Sequence, residues 1–175
     1  MMLDDIVQKI LEIGGDATVA EELDMPGPVL RLPAGELRAA AEFLHAQEFD
    51  SLMSLAGIDY AGMKTHGAEA GDSLGVVYHF FSFTHRLKVT LKVWLPRTEP
   101  TVATISDLWR TAEWHEREAF DLYGIQFEGH PRLTRILLPE DWVGWPLRKD
   151  YEMPVEYRGI RHRDPVEVPV EEAAS

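Results

Sequence analysis

The chain has 175 residues, 45% hydrophobic and 27% charged, with five Trp, which suits one domain with a sizeable core plus a tail, since a domain of about 150 residues buries roughly 70% of its unfolded surface. Thirty acidic against 17 basic side chains give a net charge of −13, and that balance argues against nucleic acid or anionic lipid as a partner. With no Cys, disulfides, thiol catalysis and the thiolate ligands of ordinary iron–sulfur clusters are excluded. No apolar run approaches the roughly 18 to 20 residues of a membrane span, and the acids in MMLDDIVQKI are wrong for a secretory signal, so a cytoplasmic location is expected.

In chain order, Leu3, Ile6, Val7, Ile10 and Ile13 recur at helical spacing until Gly14-Gly15 breaks the segment. Pro26-Gly27-Pro28 precedes a brief extended piece, Val29 to Leu32. Pro33 to Glu48 then reads as a second helix, with Leu37, Ala40, Ala41, Leu44 and Phe49 facing a core. Leu52 to Tyr60 is a weaker strand candidate, and Gly62 to Asp72 reads as an exposed loop.

The firmest sheet signal is Leu87, Val89, Leu91, Val93 and Leu95 alternating with Lys88, Thr90, Lys92 and Trp94. Val76 to Phe83 precedes it across a short turn at Thr84-His85-Arg86, so an antiparallel hairpin is expected. From Thr104 to Tyr123 the period becomes helical: Leu108, Ala112, His115, Ala119 and Leu122 form one stripe that Trp109, Phe120 and Tyr123 widen, and Gly124 ends it. Beyond Gly124 the prolines and glycines deny the chain any long element, yet Leu133, Ile136, Leu137, Leu138, Trp142 and Trp145 require it to be ordered against something. The last dozen residues, DPVEVPVEEAAS, read as an acidic tail.

These elements predict an α+β fold, a mainly antiparallel sheet packed on helices, with a globular domain over 1–124, an extended partner-contact segment over 125–163 and a flexible tail over 164–175. Trp114-His115-Glu116-Arg117-Glu118 invites a zinc reading, but position 119 is Ala, so the two-His helical motif fails. Glu113, Arg117 and Asp121 at four-residue spacing predict an ion-pair ladder along one helix face, while Glu116 and Glu118 suit a polar surface for another chain. The adjacent acids Glu140-Asp141 lack a nucleophile at any recognisable spacing, and GxGxxG, GxxxxGK[ST] and GxSxG are all missing. Arg132, Arg135, Arg148, Lys149, Arg158, Arg161, His162 and Arg163 gather in the last third. A basic, aromatic-laced, Pro-rich segment of that kind suits either RNA or an acidic protein partner, and the overall acidity favours protein.

The stretch EREAFDLYGIQFEGHPRLTRILLPEDWVGWPLRKDY, Glu116 to Tyr151, closely resembles the signature region of the C subunit of bacterial NADH-quinone oxidoreductase, respiratory complex I. The resemblance rests on Glu116-Arg117-Glu118, Asp121-Leu122, Gly124-Ile125, Gly129-His130-Pro131 and the closing PLRKDY from Pro146 to Tyr151. It implies a place in the hydrophilic arm of a proton-translocating respiratory complex, peripheral on the cytoplasmic side of the cell membrane. The neighbours would be the large quinone-site subunit and the iron–sulfur subunits. It also implies that this chain carries no cofactor, metal or catalytic residue of its own, with NADH, FMN, iron–sulfur clusters and quinone belonging to the complex. Related subunits serve hydrogenase- and ferredoxin-linked membrane complexes, sometimes fused to the quinone-site subunit; ending soon after the signature, this chain reads as a stand-alone version. The residues expected to contact partners are Glu116, Arg117, Glu118, Asp121, His130, Arg135, Trp142, Trp145, Arg148 and Tyr151. The rival from another class is an autonomous metal-dependent or acid–base enzyme using His115, Glu116, Glu118 and His130.

Overall fold

The computed structural model describes residues 3–20, 27–63 and 73–161. Most of the expected 62–72 loop, Pro26, His162, Arg163 and the 164–175 tail lie outside the described residues.

Among the described residues three helices pack with a five-stranded, mostly antiparallel sheet, the α+β arrangement that the helical and strand periods predict. Helix α1 (Leu3–Gly14) buries Ile6 and Ile10, two of the positions that the spacing assigns to its apolar face. Strands β1 (Thr18–Ala20) and β2 (Val29–Leu32) follow, and a 3-10 turn at Ala34–Glu36 leads into α2 (Leu37–Ala46). Pro33 thus stands before the helical turn, where its missing N–H costs nothing. Leu37, Ala40, Ala41, Leu44 and Phe49 are all fully buried. The main sheet is completed by β3 (Ser51–Asp59), β4 (Ser73–Ser82) and β5 (Leu87–Pro96).

The order across the sheet is β1-β2-β5-β4-β3. All pairs are antiparallel except β2 with β5, which run parallel with Val29 opposite Thr90 and Leu32 opposite Val93. The β4–β5 hairpin turns through Phe83 to Arg86; Arg86 takes a positive φ of 55°, and the Ser82 hydroxyl accepts from the His85 N–H at 3.1 Å. Val89, Leu91, Val93 and Leu95 point into the core as the alternation predicts. Thr90, on the other face, is buried as well and bonds His79 at 2.9 Å. That face is therefore not a plainly solvated one.

The boundary that departs furthest from the sequence reading is the start of the third helix. Helix α3 runs from Ala112 to Tyr123 and does not reach back to Thr104. Between β6 (Thr101–Ala103) and α3 the chain makes a single turn, in which the Leu108 and Trp109 N–H groups both donate to the Ile105 carbonyl. Such a turn reproduces helical spacing over a few residues, which is why the stripe reads through it. Two interactions hold it apart from the helix: the Thr104 hydroxyl donates to Glu116, and Asp107 pairs with Arg38 of α2 at 2.6 Å. The indole of Trp109 closes the core by donating to the Phe49 carbonyl at 2.8 Å and packing on Phe80.

After α3, β7 (Gln126–Glu128) pairs in parallel with β6, burying Ile125 and Phe127. Residues just past Gly124 thus pack with the body. Among the described residues no helix is long and apolar enough to cross a membrane.

Candidate partner-contact site

From Gly129 to Arg161 the chain runs over α3 and the adjoining end of β3 as a strap. Its regular structure is a two-stranded hairpin, β8 (Glu156–Tyr157) and β9 (Ile160–Arg161). A segment without repeating backbone bonds must satisfy its N–H and C=O groups some other way. Helix α3 supplies the partners from its charged residues.

Asp121 is fully buried. Its Oδ2 accepts from the N–H groups of Ile136, Leu137 and Leu138 at 2.9, 2.7 and 2.9 Å, and its Oδ1 accepts from Arg135 at 3.1 Å. One turn earlier Arg117 does the converse. Its Nε donates to the Thr134 carbonyl and its Nη2 to the Thr134 hydroxyl, both at 3.0 Å, while the guanidinium lies over the Trp114 ring. An acceptor for three amides and a donor for the preceding carbonyl thus sit side by side on the helix. Arg117 and Asp121 are consequently bound to the strap, and the expected Glu113–Arg117–Asp121 ladder is replaced by these bonds.

Glu116 points into the body. Its Oε1 accepts from the Ile105 N–H at 2.9 Å and its Oε2 from the Thr104 hydroxyl at 2.5 Å. Burial pushes its carboxyl up to about 7 against the pull of those two hydrogen bonds. His130 Nε2 lies 3.9 Å from Glu116 Oε2, yet it donates to the Glu113 carbonyl at 3.1 Å while Nδ1 accepts from the Arg132 N–H at 3.0 Å. Both ring nitrogens of His130 are thus engaged, and the Gly129-His130-Pro131 turn is thereby docked against α3.

At the other end of α3, Gly124 adopts φ 72° as the left-handed cap, its N–H donating to the Phe120 carbonyl at 2.9 Å. A Cβ there would also lie 2.3 Å from Trp145, so the glycine is needed twice over. Arg148 stacks 4.2 Å from the Trp145 ring centre and donates to the Tyr123 carbonyl at 2.7 Å. Tyr151 packs against Gly144, and its hydroxyl donates to the Val143 carbonyl at 3.3 Å.

The last clamp lies on β3. Asp59 accepts two bonds from Arg97, at 2.7 and 2.9 Å, one from the Lys149 N–H at 2.7 Å and one from the Ala61 N–H at 2.9 Å. Burial alone would raise this carboxyl; the Arg97, Lys149 and Ala61 bonds outweigh it and hold it at about 2. Asp150 closes on the other side of Arg97. Further along, Asp141 accepts from the Tyr157 hydroxyl and from Arg158, fastening the hairpin, and Trp142 packs on the Tyr157 ring.

Nine of the ten residues expected to touch partners are at least partly covered within the chain, and Arg117, Asp121, His130, Arg135, Trp145 and Arg148 lie on the seam between strap and body. Glu116, Arg117 and Asp121 are buried, the His130 side chain is enclosed, and Arg135, Trp142, Trp145, Arg148 and Tyr151 are partly covered; Glu118 alone is exposed. Between its exposed charged residues the strap also leaves apolar side chains in solvent: Leu137, Val143, Leu147, Met153, Val155 and Ile160 are all exposed, Val143 by 82%. Sequence reasoning passes over Asp59 and Arg97, which lie far from the signature and carry no local pattern that marks them. The four residues of the metal-enzyme alternative do not converge: the Glu116 oxygens are taken by Thr104 and Ile105, while His115 and Glu118 line a different cleft. Among the described residues no group of three or more His, Asp or Glu is placed to hold a metal.

Residues 30–157 match the family model described as respiratory-chain NADH dehydrogenase, 30 kDa subunit. Among similar proteins, the C subunit of the NADH-quinone oxidoreductase of Chloroherpeton thalassium is 46% identical over 128 residues, covering 71% of this chain and 50% of that protein. Its counterpart from a Nocardioides species is 41% identical over 130 residues, with the same two coverages. The chain thus spans about half the length of the curated relatives it matches. Among solved structures, a trypsin-resistant fragment of Nqo5 superposes with a TM-score of 0.66 at 26% identity, covering 76% of this chain and all of the fragment. A chain of the archaeal membrane-bound sulfane sulfur reductase, a respiratory membrane complex, shares the fold, with a TM-score of 0.67 at 22% identity over 86% of this chain and 85% of that one. The matched span takes in most of the body and nearly all of the strap, and the chain belongs to the family of the 30 kDa subunit of respiratory-chain NADH dehydrogenase.

Proposed function

We propose that this chain is a cofactor-free structural subunit of a proton-translocating NADH-quinone oxidoreductase. In this reading it holds the quinone-site subunit and the iron–sulfur subunits together on the cytoplasmic side of the membrane. NADH, FMN, the clusters and quinone then belong to the other subunits. The observation that carries the reading is the strap. Buried and partly buried polar bonds fix its backbone on α3 and β3, yet it leaves six large apolar side chains exposed to solvent. Exposed apolar side chains on a backbone already held in one conformation suit an interface, because ordering that backbone costs nothing further when a partner arrives. In the proposal, the expected contact residues act by positioning: Asp121, Arg117, Arg148 and Tyr151 hold the strap, and Val143, Leu147 and their neighbours meet the partner.

The test is purification of the complex from native membranes with Val143→Asp and Leu147→Asp in this chain. The expected result is loss of the co-purifying quinone-site and iron–sulfur subunits and of NADH-dependent quinone reduction, with the thermal stability of the isolated chain unchanged. Recovery of an intact, active complex would overturn the reading. Reduction driven by a donor other than NADH would keep the structural role and reassign the complex.

A further inference from the structure

The main sheet has two edges of different character. One is β1, three residues long. The other is β3, nine residues long, and among the described residues β4 is the only strand paired with it. From Ser51 to Ile58 this edge contains no charged residue and no proline, and its one irregularity is the register shift between Leu52 and Ser54. Edge strands of proteins that work alone are usually blunted by lysine, proline, shortness or cover, because a bare edge pairs with any strand offered to it. Here Met53 and Ala56 stand exposed along it.

Beside the edge lies a cleft of about 90 Å3, floored by Leu55, Ala56 and Gly57 and walled by α3 and Leu147. Gly57 helps to shape it, since a Cβ there would strike the Tyr123 ring at 2.6 Å. The volume is far below the roughly 300 Å3 at which small-molecule sites begin, and it suits one apolar side chain. Leu147 belongs both to this cleft and to the exposed apolar residues of the strap, so the part of the edge that α3 leaves open continues the surface proposed above for partner contact. Glu118 is exposed on the cleft wall and Asp50 just before β3, and no Lys or Arg lines the cleft, Arg148 and Lys149 being engaged on the Tyr123 and Ala61 carbonyls.

We propose that β3 is extended in the assembly by a strand from another polypeptide. That segment adds its backbone to the Ser51–Gly57 edge, sets an apolar side chain into the Leu55–Leu147 cleft, and carries lysine or arginine toward Asp50 and Glu118. A second copy of this chain fits less well, because it would bring another net charge of −13 to an acidic edge. The chain's own last dozen residues are likewise acidic. The proposal rests on the reading that the protein works inside a larger assembly.

Two measurements on the full chain test it, free and within the purified complex. In amide hydrogen exchange, alternate amides between Ser51 and Gly57, those turned away from β4, should slow about tenfold or more on assembly. A photo-cross-linking benzoylphenylalanine in place of Ala56 should join a Lys- or Arg-bearing extended segment of a different subunit, with the same probe at exposed Phe83 as the control. Ala56→Lys should leave the free chain's melting temperature unchanged and lower its incorporation into the complex about tenfold. Unchanged exchange over 51–57, a cross-link to a second copy or to a helix, or normal incorporation of the lysine variant would each overturn the proposal. If the chain joins no complex, the wider reading fails; if it joins one with these amides still labile, only the added strand fails.

Discussion

Glu116 and Asp59 are two buried carboxyls whose surroundings drive them in opposite directions, and their pH signatures should separate cleanly. Burial raises Glu116 to about 7, so between its unfolded value of about 4.5 and 7 the folded chain binds more protons than the unfolded one. Stability then falls as pH rises through that window, by up to about 3 kcal/mol in total. Urea unfolding from pH 5 to 8 should show this slope, and Glu116→Gln should flatten it. For Asp59, held at about 2 by Arg97 and two backbone N–H groups, the sign reverses. Its contribution is present above about 4 and is lost as pH falls toward 2. Asp59→Asn should therefore cost about 2 kcal/mol at neutral pH and speed tryptic cleavage at Arg148 and Lys149; unchanged cleavage would mean that the Lys149 N–H bond does not fasten the strap.

At the scale of elements, α3 explains why the signature mixes charge and glycine as it does. The Arg117 and Asp121 side chains stand in for the backbone partners that an aperiodic strap lacks. Asp121→Ala would orphan three amides and the Arg135 guanidinium, at about 3 kcal/mol, and exchange of the 136–138 amides should rise with it. With Arg135 on Asp121 and Arg148 between Trp145 and Tyr123, charge reversal at either arginine should loosen the strap even in the isolated chain. Gly124→Ala combines a left-handed backbone with a Cβ driven into Trp145, costing about 2 to 3 kcal/mol. A change in Trp emission before global unfolding would report the indole leaving its seat.

For the whole molecule, a sheet with helices forms a body to which the strap is clamped by side chains from two distant places, α3 and the end of β3. Much of this is legible from the residues. The β5 alternation, the α1 and α2 stripes and the hairpin between β4 and β5 follow from local periods that only one structure can bury. The signature points to the family and to the importance of Glu116 through Tyr151, because backbone satisfaction in an aperiodic segment demands particular polar residues nearby in sequence. Tertiary structure decides the rest. Whether α3 begins at Thr104 or Ala112 depends on Asp107 meeting Arg38 from another element. Whether Asp59 and Arg97 matter depends on Lys149, ninety residues from Asp59, arriving beside them. Which residues of the strap face inward depends on a packing that has no period to read: charged side chains that look like surface are buried as clamps, and several apolar ones that look like core are exposed.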